Sequence, residues 1–257
     1  MKKLFVLMIF LVNIQADILT SITETKTLRV CIWPEYYGIS YIDPRTQIPQ
    51  GVDVELAYEF ANELGVKVEF VESSFSKLVS DVTSNKCDIA MFAIGRTPQR
   101  MEHLKLTTPH LSSDIYAIAT KSNNRIKTWD DIDKKGVVVA VAQGTYHVAI
   151  MQNYLKNATL LVVDLLGARE QEVQSGRADV FMTDYPFGIR MLAQRDWAKL
   201  IKPPKTFHLT PYGWAMAKHE EAFLVRVEKF IKDIKADGRL YKIAKKYALE
   251  PIIVKSK

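Results

Sequence analysis

The chain has 257 residues, 48% hydrophobic and 25% charged, with 11 Gly, 10 Pro and two Cys, proportions that exclude a disordered chain, a collagen-like repeat and a small disulfide scaffold. The mean hydropathy is −0.05, and the one long uncharged apolar run lies at the extreme N-terminus, so an integral membrane protein is excluded as well. The formal charge of +6 is mild and scattered; its densest stretch, Lys242, Lys245 and Lys246, reads as a solvated helix face rather than a nucleic-acid patch.

Met1-Lys2-Lys3 forms a short basic start, residues 4–12 are unbroken apolar, and Asn13-Ile14-Gln15-Ala16 follows. This is the layout of a secretory signal peptide over residues 1–16, with cleavage after Ala16. The apolar run is too short to cross a bilayer core, which needs about 20 residues. No Cys follows the cleavage point, so a lipoprotein is not expected. Removing Lys2 and Lys3 with the leader lowers the charge by two, to +4. Export permits a bridge between Cys31 and Cys87. Both stand in apolar strand-like segments and are expected as two small buried hydrophobes, with a disulfide as the alternative.

Residues 28–33 read as a short apolar strand and 41–50, with Asp43-Pro44 and Pro49, as a loop. Asp53 is placed to cap a helix with Leu56, Phe60 and Leu64 on its stripe, stopped by Gly65. A strand over 67–71, a helix over 74–83 and a buried strand over 88–94 follow. Thr97 caps a helical turn over 97–103, with Pro98 at its first position. After an extended 115–120 a second series begins: strand 137–142, helix 145–155, strand 160–164, helix 169–174, strand 179–183 and helix 186–192. Residues 212–218 are extended. An amphipathic helix over 220–234 buries Phe223, Val227, Phe230, Ile231 and Ile234, and Asp237-Gly238 turns into a last helix over 240–247. Repeated β–α alternation in two series predicts two α/β lobes.

Catalytic motifs are missing. There is no P-loop, no Gly-x-Gly-x-x-Gly and no Gly-x-Ser-x-Gly elbow. The histidines (His103, His110, His147, His208, His219) lack zinc-ligand spacing and are expected at the surface or as caps. No carboxylate spacing marks a catalytic pair. No catalytic residue, metal or cofactor is expected.

Several segments together resemble the type 3 periplasmic solute-binding proteins, the amino-acid receptors of ABC uptake systems. They are Leu28-Arg29-Val30, Tyr36-Tyr37-Gly38, Gly51-Val52-Asp53, Cys87-Asp88-Ile89-Ala90 with Thr97-Pro98-Gln99-Arg100, Gly144-Thr145, the run from Ser175-Gly176-Arg177 to Thr183-Asp184, and Asp237-Gly238-Arg239-Leu240-Tyr241. The resemblance spans residues 28–250. It implies an α/β, two-lobed periplasmic-binding-protein type II-like fold, each lobe a mixed, mostly parallel sheet flanked by helices. Lobe 1 would hold 28–116 and 219–257 and lobe 2 would hold 120–215, with hinges near 117–120 and 215–218.

It also implies a site. An α-amino acid needs an anion receptor, a cation receptor and a side-chain wall. Arg100, in the family's turn, is the carboxylate candidate, because a guanidinium grips a carboxylate bidentately. Backbone groups near Gly95 and Thr97 would assist, as would Gly144 and the Thr145 hydroxyl at a strand-to-helix turn beside Tyr146. Asp184 matches the ammonium-binding aspartate, although it also suits a helix cap. Trp33, Tyr36 and Phe75 align with the pocket wall. Glu35 reads as a solvated glutamate that a basic ligand could engage. Arg96 departs from the family's apolar residue, as a receptor for a second acidic group or as a surface ion pair.

The function implied is a periplasmic receptor that closes on a small amino acid or related carboxylate and delivers it to an inner-membrane ABC permease, acting as a monomer without nucleic acid. Two alternatives stand beside it. One is a cyclohexadienyl (arogenate/prephenate) dehydratase-like enzyme, disfavoured because Tyr185, Pro186 and Phe187 after Asp184 offer no acid. The other is a periplasmic sensory module.

Overall fold

The computed structural model describes residues 17–165 and 167–255; the leader expected over residues 1–16 lies outside them. The elements are α1 (Ile18–Thr25), β1 (Thr27–Ile32), β2 (Glu35–Tyr36), β3 (Ser40–Ile42), β4 (Pro49–Gln50), α2 (Val52–Leu64), β5 (Lys67–Glu72), α3 (Leu78–Thr83), β6 (Ile89–Gly95), α4 (Pro98–His103), β7 (Leu104–Leu106) and β8 (Leu111–Ser113). They continue with β9 (Ile115–Thr120), β10 (Val138–Ala142), α5 (Tyr146–Tyr154), β11 (Thr159–Val163), α6 (Ala168–Gln174), β12 (Val180–Asp184), α7 (Tyr185–Gln194), β13 (Ala198–Ile201), β14 (Thr210–Ala217), α8 (Glu221–Ala236) and α9 (Arg239–Lys246). Helix α1 and strands β2, β7, β8 and β13 have no counterpart among the elements expected from sequence. The loop expected over 41–50 contributes β3 and β4 to a small β2-β3-β4 sheet.

Two larger sheets form the lobes. The first runs β5-β1-β6-β14-β7, with β8 also on β14; the second runs β11-β10-β12-β9-β13. In each, three parallel strands are followed by an antiparallel one. The strands β6 and β12 are buried along their whole length, as strands covered on both faces must be. Helices α2, α8 and α9 pack on one another, with α2 against the first sheet, while α5, α6 and α7 pack on the second. Phe230 of α8 stacks on the buried Trp214 of β14, as the apolar stripe requires.

Three expectations are corrected. Residues 117–120 lie inside β9, paired with β12 and β13, and 215–217 lie inside β14, paired with β6 and β7. The chain instead crosses between the sheets at Asp114 and over 202–209. The Asp114 carboxylate ties the two crossings together by accepting from the N–H groups of Phe207 at 2.9 Å and His208 at 2.7 Å. Cys31 and Cys87 form a disulfide, with Cα atoms 5.6 Å apart. The pairing of β1 with β6, Cys31 opposite Ala90, brings the two segments within bridging range.

Asp53 is not the cap of α2. Gly51 is, at φ +133°, where a Cβ would lie 2.2 Å from the Ile39 carbonyl oxygen. Asp53 is fully buried and accepts from Ala93 N at 2.7 Å and Trp214 Nε1 at 2.8 Å, with His110 Nε2 at 3.0 Å. Ala93 takes φ +48°, a left-handed conformation that costs a Cβ-bearing residue roughly 1–2 kcal/mol. The carboxylate thus holds a local kink near the end of β6, opposite the register shift of β14 between Gly213 and Ala215.

Candidate functional site

The carboxyl ends of the parallel strands in both sheets point into one cleft, where α/β folds bind ligands. Trp33 follows β1, Gly95 ends β6, Gly144 and Thr145 follow β10, and Asp184 ends β12. Tyr36 comes from the small sheet, and Phe75 from the loop after β5.

Arg100 sits in the first turn of α4, which Thr97 caps by accepting from Arg100 N at 3.3 Å. Its guanidinium is buried and spans the cleft. Nη1 donates to the Gly95 carbonyl at 2.9 Å and Nη2 to the Gly144 carbonyl at 2.9 Å. Its Cζ lies 5.2 Å from the Phe75 ring centroid. Burial lowers its pKa to about 10, so it stays charged at neutral pH.

Asp184 ends β12 in the second lobe and is 2% exposed. It caps α7 by accepting from Phe187 N at 3.3 Å, and it accepts from Tyr212 Oη at 2.7 Å and from Tyr36 Oη. Both tyrosines belong to the first lobe's side, so cap and inter-lobe tie coincide in one carboxylate. Burial raises its pKa, against the lowering effect of these hydrogen bonds and of Arg169. Tyr146 Oη lies 2.8 Å from Tyr212 Oη and extends the network across the cleft.

Thr145 occupies the N-cap position of α5, but its hydroxyl donates to the Ala142 carbonyl at 2.7 Å. Trp33, Phe75 and Tyr36 form a continuous wall, with centroids 5.2–5.9 Å apart. Of the ten residues expected from sequence, Thr97, Arg100 and Gly144 line one cavity, Trp33, Tyr36, Phe75 and Asp184 line an adjoining one, Thr145 and Tyr146 line both, and Gly95 lines neither. Between the lobes the cleft narrows to a cavity of about 10 Å³ lined by Trp33, Tyr36, Phe75, His147, Arg169 and Asp184. One mouth, about 630 Å³, is lined by Arg96, Arg100, His208 and Gln152; the other, about 820 Å³, by Glu35, Glu170, Tyr41 and Trp197.

Several expectations change here. Arg96 Nη1 donates to the carbonyls of Leu106, at 2.6 Å, and Thr107, which is neither of its expected roles. Glu35 is half-buried rather than solvated, and burial together with Glu170 raises its pKa. His110 and His147 are buried, not superficial. Among the described residues neither ring nitrogen of His147 has a hydrogen-bond partner, and burial together with the charges of Arg169 and Arg100 drives its pKa well below the usual imidazole value. Arg169, which sequence reasoning missed, stacks on Phe187 with Cζ 4.2 Å from the centroid. In sequence it is one arginine in a charged helix, and no local signal separates it from a surface residue. Among the described residues no cluster suited to a metal ion occurs, and no helix is long and apolar enough to cross a membrane.

Two α/β lobes meeting over converging charged and aromatic side chains are the architecture of a two-lobed solute-binding protein. Residues 28–250 match the model of the bacterial extracellular solute-binding proteins, family 3, and the chain belongs to that family. It is similar to the crystal structure of the ancestral amino acid-binding protein AncCDT-1, a precursor of cyclohexadienyl dehydratase, with 30% identity and a TM-score of 0.82, covering 90% of this chain and 99% of that one. The cyclohexadienyl dehydratase of Pseudomonas aeruginosa is 31% identical over 173 residues, 66% of this chain and 63% of that protein. The arginine-bound amino acid ABC transporter substrate-binding protein AbpA of Streptococcus pneumoniae shares the fold, with a TM-score of 0.81 at 23% identity, covering 91% of this chain and 100% of that one.

Proposed function

We propose that this protein is a periplasmic receptor that captures a small amino acid or related carboxylate between its lobes and delivers it to an inner-membrane ABC permease, acting as a monomer exported by residues 1–16. The observation that carries this reading is the opposition of Arg100 and Asp184. These two buried, oppositely charged groups, one from each lobe, line adjoining cavities that share Thr145 and Tyr146, and each bonds to the other lobe, Arg100 to Gly144 and Asp184 to Tyr212. A zwitterion satisfies both at once: its carboxylate takes the place of the carbonyls now held by Arg100, and its ammonium donates to Asp184. Gly144 and Thr145 add polar backbone, and Trp33, Tyr36 and Phe75 flank the side chain. The lobes pivot where the chain crosses, at Asp114 and over 202–209. A ligand that binds the closed form better shifts the population toward closure.

The amino-acid-binding relatives support the ligand class. A thermal-shift panel of amino acids and diacids tests it. At ligand 100-fold above Kd the expected stabilisation is about 2.7 kcal/mol, roughly 5–10 °C in Tm. Arg100→Ala should abolish the shift and leave the fold intact; a panel without any shift rejects the receptor reading.

The dehydratase reading has the Pseudomonas aeruginosa relative in its favour. It requires an acid poised over a leaving group, and Asp184 is already engaged by two hydroxyls and an N–H. Incubation with prephenate or arogenate decides between them: product formation would establish the enzyme.

A further inference from the structure

Two buried guanidiniums bracket the aromatic wall of the cleft, and the amino-acid reading uses only one. Arg100 lies over Phe75, Phe75 meets Trp33 edge-on at 5.2 Å, and Arg169 Cζ stands 5.8 Å from the Trp33 ring centroid. Arg169 comes from the first turn of α6 and is 4% exposed. Its guanidinium sits in a cage of three rings, 4.2 Å from the centroid of Phe187 and 5.0 Å from that of Phe181, with Trp33 as the third. Such a cage is the environment in which proteins hold guanidinium and ammonium groups of ligands. Here the chain's own side chain fills it.

The donors of Arg169 are not all used. Nε donates to Glu170 Oε1 at 2.9 Å and Nη1 to the Met182 carbonyl at 3.1 Å, while among the described residues Nη2 has no partner. Among the described residues, three polar atoms beside it are buried without a partner: both ring nitrogens of His147 and Oγ1 of Thr183. Arg169, His147 and Thr183 line the same small cavity as Asp184. Neutral imidazole brings one N–H and one acceptor nitrogen, threonine one O–H and an acceptor oxygen, and the guanidinium donors only. Asp184, the one carboxylate lining that cavity, is engaged by Tyr36, Tyr212 and Phe187 N. Glu35 and Glu170 line the outer mouth, where Glu170 holds Nε of Arg169. The imidazole and the hydroxyl can each donate or accept, so the guanidinium of Arg169, which only donates, tips the side-chain end of the cavity toward donors. Buried polar atoms without partners are costly, and a ligand that offers acceptors to the guanidinium, imidazole and hydroxyl recovers part of that cost.

We propose that Arg169 is the specificity-determining residue of the cleft: with His147 and Thr183 it receives the side chain of an α-amino acid that ends in an oxygen acceptor, a carboxylate or carboxamide, and its guanidinium excludes lysine and arginine. The exclusion has two causes. The aromatic cage is occupied, and a second cation there meets a like charge in a medium of low dielectric. The inference rests on the amino-acid reading and adds the class of side chain.

Calorimetric titration of the mature chain with L-aspartate, L-asparagine, L-glutamate, L-glutamine, L-lysine, L-arginine, L-alanine and L-leucine tests it. One of the first four is expected to bind at least about tenfold tighter than lysine, arginine, alanine and leucine, the discrimination one charged hydrogen bond supplies. Arg169→Met keeps an unbranched stem without the charge. It is expected to weaken the preferred ligand about tenfold or more and to narrow its margin over lysine and arginine. Any other wild-type ranking overturns the proposal, whether or not the variant folds, and so does a folded Arg169→Met protein with the wild-type ranking. Failure of every amino acid to bind removes the amino-acid reading itself and this inference with it, whereas tight binding of lysine or arginine removes the inference alone.

Discussion

Arg100 Nη2 donates to the carbonyl oxygen of Gly144 at 2.9 Å, joining the first helical turn after β6 to the turn after β10 across the cleft. The contact requires the backbone at Gly144 to come very close to the opposite lobe. A Cβ built on Gly144 would lie 2.4 Å from Ser76 N and 2.5 Å from Phe75 C.

Gly144→Ala is therefore expected to prop the cleft open. Real Cβ atoms do not approach backbone that closely, and the opposing atoms belong to the main chain, so they cannot swing aside. The φ of +76° adds roughly 1 kcal/mol of local strain. Each lobe should stay folded, with Tm lowered by a few degrees. Small-angle scattering should give a larger radius of gyration, and the ligand-induced thermal shift should disappear. Affinity within about threefold of wild type would show that the contact is not needed for closure.

Asp184→Asn should separate stability from binding. Burial raises the Asp184 pKa above its unfolded value, so the stability linked to its protonation is present at low pH and lost as pH rises through the folded value. At neutral pH the native carboxylate therefore carries a destabilising charge. Asparagine removes the charge and keeps an acceptor for Phe187 N. Without ligand, the variant's Tm at pH 7 is expected to equal or exceed that of wild type, while ammonium-bearing ligands lose affinity by at least about tenfold. A clear fall in Tm would contradict the burial argument.

His147 predicts the opposite pH slope. Its folded pKa lies well below the unfolded imidazole value, so its contribution is present above about pH 6.5 and is lost as pH falls and the unfolded chain takes up a proton. Melting curves between pH 7.5 and 5, at about half-unit steps, should show stability falling less steeply in His147→Gln than in wild type. Parallel curves would mean the imidazole is not held neutral.

Reduction tests the Cys31–Cys87 bridge. It closes a loop across a sequence separation of 56, which the chain-entropy account values at about 4 kcal/mol. Cys31→Ala with Cys87→Ala, or dithiothreitol, should lower Tm by roughly 5–15 °C. The bridge joins β1 to the segment entering β6, the two strands that carry Trp33 and Gly95 to the cleft. Ligand affinity should therefore weaken along with stability.

Periodicity and punctuation were the legible part of this fold. Thr97 and Pro98 announce the start of α4, and the alternating apolar runs mark most strands because burial on both faces leaves a plain hydrophobic signature. The sites of Arg100 and Asp184 came from family resemblance, not from pattern. What stayed hidden depends on pairing across long sequence separations. Asp53 stands where a cap would, and nothing local reveals that its partners are Ala93, His110 and Trp214. Cys31 and Cys87 look alike as hydrophobes or as a bridge until β1 is set beside β6. The crossings differ from those expected because β9 and β14 are strand-like at both ends, and only sheet membership tells which lobe each belongs to. Nothing local marks Arg169, and His147 reads as a surface or capping residue, because burial of a polar side chain is a tertiary fact.

The cavity between the lobes has a consequence for rates. At about 10 Å³ it holds at most one water, so in this conformation no amino acid can enter it. Association must wait for the lobes to part, a motion of microseconds to milliseconds in hinged proteins. At low ligand the observed binding rate should climb with concentration. At high ligand it should level off at the opening rate, at a plateau common to every ligand.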